Sequence, residues 1–147
     1  METLRTDWGA PTGGATRQQA RRLPSIAEAS SSGRRERTEK PWGYELLWAI
    51  SEQYAGKILH VLEGGRLSLQ YHERKHETLF LLAGEALVQL GDDVDSLRTY
   101  RAGPGDCFVV APGRLHRIVA ISTCDFFEVS TPELDDVVRI QDDYGRS

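Results

Sequence analysis

At 147 residues the chain has room for one domain of ordinary size with its own core, and not for two comfortable ones. Its formal charge of −4 is split, because residues 1–37 carry seven Arg against four acids while residues 38–147 carry eleven Lys and Arg against eighteen acids. An acidic main part excludes a basic face for a nucleic-acid backbone; no apolar run approaches the roughly 20 residues of a membrane-spanning helix and no secretory h-region is present, so the expectation is a cytoplasmic protein with no membrane or nucleic-acid partner.

In chain order, residues 1–37 mix Gly, Pro, Ser and Arg with few large apolar side chains and no sustained period. Such a segment buries too little to offset its ordering entropy, so it reads as a flexible, disordered N-terminal tail with at most short helical turns at Gln18 to Arg22 and Ser25 to Ala29. From Pro41 the texture changes to short runs of Val, Ile, Leu, Tyr and Phe, punctuated by Gly, Pro and Asp. That pattern predicts an antiparallel all-β sandwich or barrel over 38–147. The expected strands are Tyr44–Ile50, Lys57–Leu62, Leu67–Tyr71, Thr78–Leu82, Ala86–Leu90, Ser96–Arg101, Cys107–Val110, Arg117–Ala120 and Asp125–Ser130. Turn residues separate them, among them Glu63-Gly64-Gly65, Ala83-Gly84-Glu85 and Pro112-Gly113-Arg114. Trp42, Tyr44 and Trp48 read as core or interface anchors. Cys107 and Cys124, in apolar runs without CxxC spacing, are expected to be buried thiols.

Strand alternation then selects the polar residues that point inward. In KILHV, Lys57 shares a face with Leu59 and Val61, which sends it to the mouth of the interior, while His60 faces out. Ser68, Gln70 and His72 share one face and Leu69 and Tyr71 the other. Past the turn at Glu73–His76, Glu77 continues the inward face with Leu79 and Leu81, whereas His76, one residue away, is expected at the surface. The strand after Pro112 delivers a second imidazole, His116. A His, a Glu and a distant His form the ligand set of an open zinc site or of a non-haem iron triad. Arg66 and Arg114 are further anion-binding candidates, although each alone would read as a solvated surface charge.

Gly65, His72, Glu77 and Gly84 resemble the first cupin motif, and Gly105-Asp106, Gly113 and His116 the second. EKPWGYELLW, GGRLSLQYH and VVRIQDDYGR are similar to the C-terminal cupin domain of type II mannose-6-phosphate isomerases, over Glu39 to Arg146. The resemblance implies a cupin jelly-roll barrel and a divalent metal ion, zinc or iron; a homodimer is expected because a stand-alone jelly roll leaves sheet edges open, which pairing or burial of the Trp42 region covers. Arg74 stands where many cupins have a second His, and Ala111 where the second motif often has Pro. Gln70-Tyr71-His72 matches the Gln-x-His pair of type I phosphomannose isomerases, which implies Gln70, His72, Glu77 and His116 as the metal ligands.

The activity implied is metal-dependent aldose–ketose isomerisation of a small phosphorylated or polyhydroxylated substrate, with Lys57 and either Arg66 or Arg114 holding its phosphate. The general base is not identifiable from the residues. The alternatives are a small stand-alone cupin of a biosynthetic pathway acting as an iron-dependent oxygenase, and a non-catalytic metabolite-binding module.

Overall fold

The computed structural model describes Ser25, Ile26 and residues 35–147. The tail and the helical turns expected before Arg35 therefore fall outside the described residues, Ser25 and Ile26 apart. From Glu36 onward every regular element is a strand. The eleven are β1 (Glu36–Lys40), β2 (Gly43–Ile50), β3 (Ala55–Val61), β4 (Leu69–Tyr71), β5 (Glu77–Ala83), β6 (Ala86–Gly91), β7 (Arg98–Ala102), β8 (Cys107–Val110), β9 (Leu115–Ala120), β10 (Cys124–Ser130) and β11 (Val138–Gln141).

They pair antiparallel into two sheets, a six-stranded one ordered β1-β2-β3-β10-β5-β8 and a five-stranded one ordered β11-β4-β9-β6-β7. This is the jelly-roll arrangement expected. One apolar core joins the inward faces of both: Leu59, Leu79, Leu81 and Phe126 come from the larger sheet, and Val88, Ile118 and Ala120 from the smaller. The alternation is visible in β5, where Glu77, Leu79 and Leu81 are buried while Phe80 and Leu82 are exposed. Gly84, which closes the first motif, has φ +89°, and a Cβ there would lie 2.3 Å from the Thr123 carbonyl oxygen, so the β5–β6 turn requires glycine.

Two expectations need correction. β1 starts at Glu36, so the last two residues assigned to the tail belong to a strand. It was invisible as one because ERTEK is polar throughout and lies at a sheet edge, where no apolar face is required. Cys124 is buried as expected, but Cys107 is exposed: β8 is the other edge of the larger sheet, and Cys107 and Val109 point away from the core. Of the aromatics, Trp42 is buried in the core, whereas Trp48 is exposed and lies across Gly56. No helix among the described residues is long and apolar enough to cross a membrane.

Candidate metal centre and its cavity

His72 follows β4 directly, Glu77 opens β5 and His116 lies in β9. All three are buried, and one ligand atom from each falls within 4.8 Å of the others. His72 Nε2 is 3.2 Å and His116 Nε2 3.3 Å from the same oxygen, Glu77 Oε1.

The other ring nitrogens fix what these atoms present. His72 Nδ1 donates to the carbonyl oxygen of Asp136, and His116 Nδ1 donates to that of Arg114 at 3.1 Å. A carbonyl oxygen only accepts, so each Nδ1 carries the proton, and a neutral ring leaves Nε2 as a bare lone pair. Two imidazole lone pairs and a carboxylate oxygen thus converge, an arrangement that repels itself unless a cation or an added proton lies among them. Donors bound at about 2.1 Å to one ion stand roughly 3.0–3.4 Å apart, which is the spacing of each imidazole from Glu77. The donor set fits a divalent metal.

Burial opposes ionisation of Glu77, but with no cation among the three groups a proton taken up at His116 or His72 Nε2 is donated to it, and these hydrogen bonds with the charge of Lys75 outweigh burial and hold the carboxyl far below the usual carboxylate range. Gln70 lies directly across from His116 in the β4–β9 pairing, with its Nε2 3.4 Å from His116 Nε2. Ser68 Oγ donates to Gln70 Oε1 at 2.6 Å. In this orientation the amide offers a donor; turning it end over end brings its oxygen to the site and gives its N–H to the Ser68 hydroxyl, which accepts equally well.

Several residues that sequence reasoning missed support this cluster. Lys75, 3% exposed, places its ammonium 2.5 Å from Glu77 Oε2 and 2.8 Å from Glu128 Oε1. Burial disfavours its charge, yet Glu128 and Glu77 more than compensate and raise its pKa. Glu128 is pushed upward, first by burial and then by Glu77, with Lys75 and Lys57 acting against the rise. The Asp136 carboxylate accepts from the backbone N–H of Glu73, Arg74 and Lys75 at 2.9, 2.7 and 2.8 Å, fastening the turn between His72 and Glu77. With its carbonyl on His72, Asp136 holds that turn by two different groups.

The cluster forms part of the wall of a cavity of about 370 Å³. Six cationic and four acidic side chains line it, the reverse of the chain's overall balance. Lys57 is among them, its ammonium 3.4 Å from Glu45 Oε2, an oxygen that Lys40 approaches to 3.6 Å. Arg66 is not: it is exposed and pairs with Asp143 at 3.3 Å. Arg114 also stays outside the lining and contributes its carbonyl instead. His76 is exposed, as its parity predicts, and the His60 ring pairs with Asp125 at 2.7 Å on the outer face.

A family model described as "Cupin domain" matches residues 57–130. The chain belongs to the cupin domain family. Among curated proteins, this cupin is 31% identical over 113 residues to the mannose-1-phosphate guanylyltransferase ManC of Salmonella typhimurium, a match covering 73% of the chain and 22% of that protein. It is 28% identical over 134 residues to the xanthan biosynthesis protein XanB of Xanthomonas campestris pv. campestris, covering 83% of the chain and 27% of the relative. The chain therefore spans about a quarter of the length of the curated relatives it matches. Among solved structures it superposes on KdgF from Halomonas sp. with a TM-score of 0.59 at 19% identity, covering 68% of the chain and 90% of KdgF. On oxalate decarboxylase from Lactobacillus farciminis the TM-score is 0.63 at 18% identity, covering 72% and 33% of the two chains. At these identities the likeness establishes the fold.

Proposed function

We propose that this cupin is a metal-dependent aldose–ketose isomerase acting on a sugar phosphate of the mannose 6-phosphate type. The observation that carries the reading is the convergence of bare imidazole and carboxylate lone pairs on the wall of a small, polar, cation-rich cavity. A lipid or aromatic ligand would ask for an apolar lining instead. The name of the Salmonella relative, a mannose-1-phosphate guanylyltransferase, supports the same substrate class.

His72, Glu77 and His116 hold the ion, with Gln70 as fourth ligand once its oxygen is turned inward. Zinc or iron suits two imidazoles and a carboxylate, and such an ion supplies polarisation of the substrate carbonyl. Lys57 adds positive charge for the substrate's anion from the larger sheet. Glu128, inside the cavity with its carboxyl pushed upward by burial, takes and returns the proton that moves between adjacent carbons. Lys75 keeps that change from leaving a bare charge in the interior. A homodimer belongs to the same reading, because the edge strands β8 and β1 are left open for pairing.

Incubating metal-loaded protein with mannose 6-phosphate or fructose 6-phosphate in deuterated water tests this. Deuterium should enter at C2 of the mannose phosphate and at C1 of the fructose phosphate, and Glu128→Gln should slow entry about 100-fold or more without changing metal content. Absence of exchange by the metal-loaded protein would overturn the isomerase reading and leave a metal-binding cupin of another activity.

A further inference from the structure

β11 is the edge strand of the smaller sheet and pairs only with β4. Its register places Arg139 opposite Gln70, and Gln70 in turn opposite His116. Directly opposed residues of an antiparallel pair point to the same face, so Arg139, Gln70 and His116 form one row facing the cavity. The ladder breaks immediately after Arg139, a local irregularity of the kind that re-aims a side chain beside a site.

Arg139 differs in its partners from four of the other cavity cations; the fifth, Arg117, also lacks a carboxylate and has an unused Nε–H, but it follows His116 in β9 and so has the opposite parity from this row. Lys40 and Lys57 share Glu45, Lys75 lies between two carboxylates, and Arg146 is held by Asp142 at 2.7 Å. Among the described residues no side-chain carboxylate pairs with Arg139. One of its terminal nitrogens donates to the backbone oxygen of Ser147, and its Nε–H is enclosed with no acceptor at all. A half-buried, always-charged guanidinium with one enclosed and unused donor costs stability unless an acceptor completes it.

We infer that Arg139 is the anion-binding residue of this cavity and takes the phosphate ester of the substrate, with the sugar chain lying along the row over Gln70 toward His116. The inference deepens the isomerase reading and rests on it for the identity of the substrate. A phosphate oxygen on Nε and a second on a terminal nitrogen make the paired contact that guanidinium geometry favours. Strand spacing of about 4.8 Å puts the Arg139 and His116 backbones roughly 10 Å apart, room for a sugar between the anion and the metal ligands. Lys57, already paired with Glu45, adds attraction at longer range.

The test is calorimetric titration of the full, zinc-loaded chain with inorganic phosphate, alongside Arg139→Gln, Arg139→Lys and Arg66→Gln. Arg139→Gln should weaken phosphate binding about 10- to 100-fold, the loss expected for charge-assisted hydrogen bonds. Arg139→Lys should restore part of it, Arg66→Gln should behave as wild type, and zinc content should be the same in all. In the wild-type protein the assigned Arg139 Nε–H resonance should shift with added phosphate, a readout that needs no variant to fold. Unchanged affinity in Arg139→Gln, an equal loss in Arg66→Gln, or a stationary Arg139 resonance would overturn the inference. Failure of the isomerase reading appears separately, as metal-loaded protein that binds phosphate at Arg139 yet exchanges no proton at C1 or C2.

Discussion

Two rows of side chains line the cavity from opposite sheets, and they treat charge differently. On the larger sheet Lys57, Glu128 and Leu79 are register partners, and the charges are answered within the protein: Lys57 by Glu45, Glu128 by Lys75. On the smaller sheet Arg139, Gln70 and His116 are register partners, and they leave a guanidinium Nε–H without an acceptor and an imidazole lone pair facing a carboxylate. Folding supplies what the first row needs. On the proposed reading the second row is completed by a cation at one end and an anion at the other.

Breaking the compensated wall should have the largest effect. Lys75→Met leaves Glu77 and Glu128 buried without their ammonium, and loss of one partner from a buried ion pair costs about 3–5 kcal/mol. Urea unfolding of metal-free protein measures this, and zinc should return part of the loss by taking over the charge of Glu77. An unchanged unfolding midpoint would mean that the wall is not held by these pairs.

Asp136 links the walls to the turn that carries His72. Asp136→Ala should weaken zinc binding about 10- to 100-fold, as loss of a group that orients a metal ligand does. Hydrogen bonds from the backbone N–H of Glu73, and then of Lys75 and Arg74, lower its carboxyl from 3.8 to about 2 against the opposing effect of burial. A depressed folded pKa stabilises the fold above the ordinary carboxylate value and ceases to do so as pH falls through the folded one. Stability should therefore decline between about pH 4 and pH 2 in the wild type, with that portion of the decline missing in Asp136→Ala.

Smaller effects sharpen the contrast. Lys57→Ala should raise KM for a phosphorylated substrate by up to about fivefold with kcat nearly unchanged, since its charge is already shared with Glu45. His76→Ala, at an exposed position, should leave metal content unaltered and stability within about 0.5 kcal/mol.

Alternation along strands made much of this site legible in advance. His72 and Glu77 flank a turn whose two ends are regular, so parity placed both inward, while His116 is marked by the turn that leads into β9. The same rule could have found Glu128, which occupies the inward register of β10 with Cys124 and Phe126. Lys75 was beyond it, because it lies in the irregular turn where alternation has no meaning. Asp136 acts from a loop over 60 residues away in sequence, and no local signal marks a loop carboxylate that will cap a distant turn. Arg139 was hidden for another reason: β11 has only half-buried and exposed residues, so its register against β4, rather than its own pattern, turns the side chain into the cavity. Arg66, read from parity nearer a turn, shows the limit of the rule, since it lies before the start of β4, where the chain carries it out to Asp143.

The central claim is that His72, Glu77 and His116 form a divalent metal site, and zinc titration of stripped full-length protein followed by elemental analysis after dialysis tests it most directly. The account predicts about one tightly held ion per chain in the wild type and in His76→Ala, with affinity falling on the order of 100-fold or more in His116→Ala. A stripped wild-type protein that retains no zinc, or a His116→Ala variant that retains as much as wild type, would contradict it.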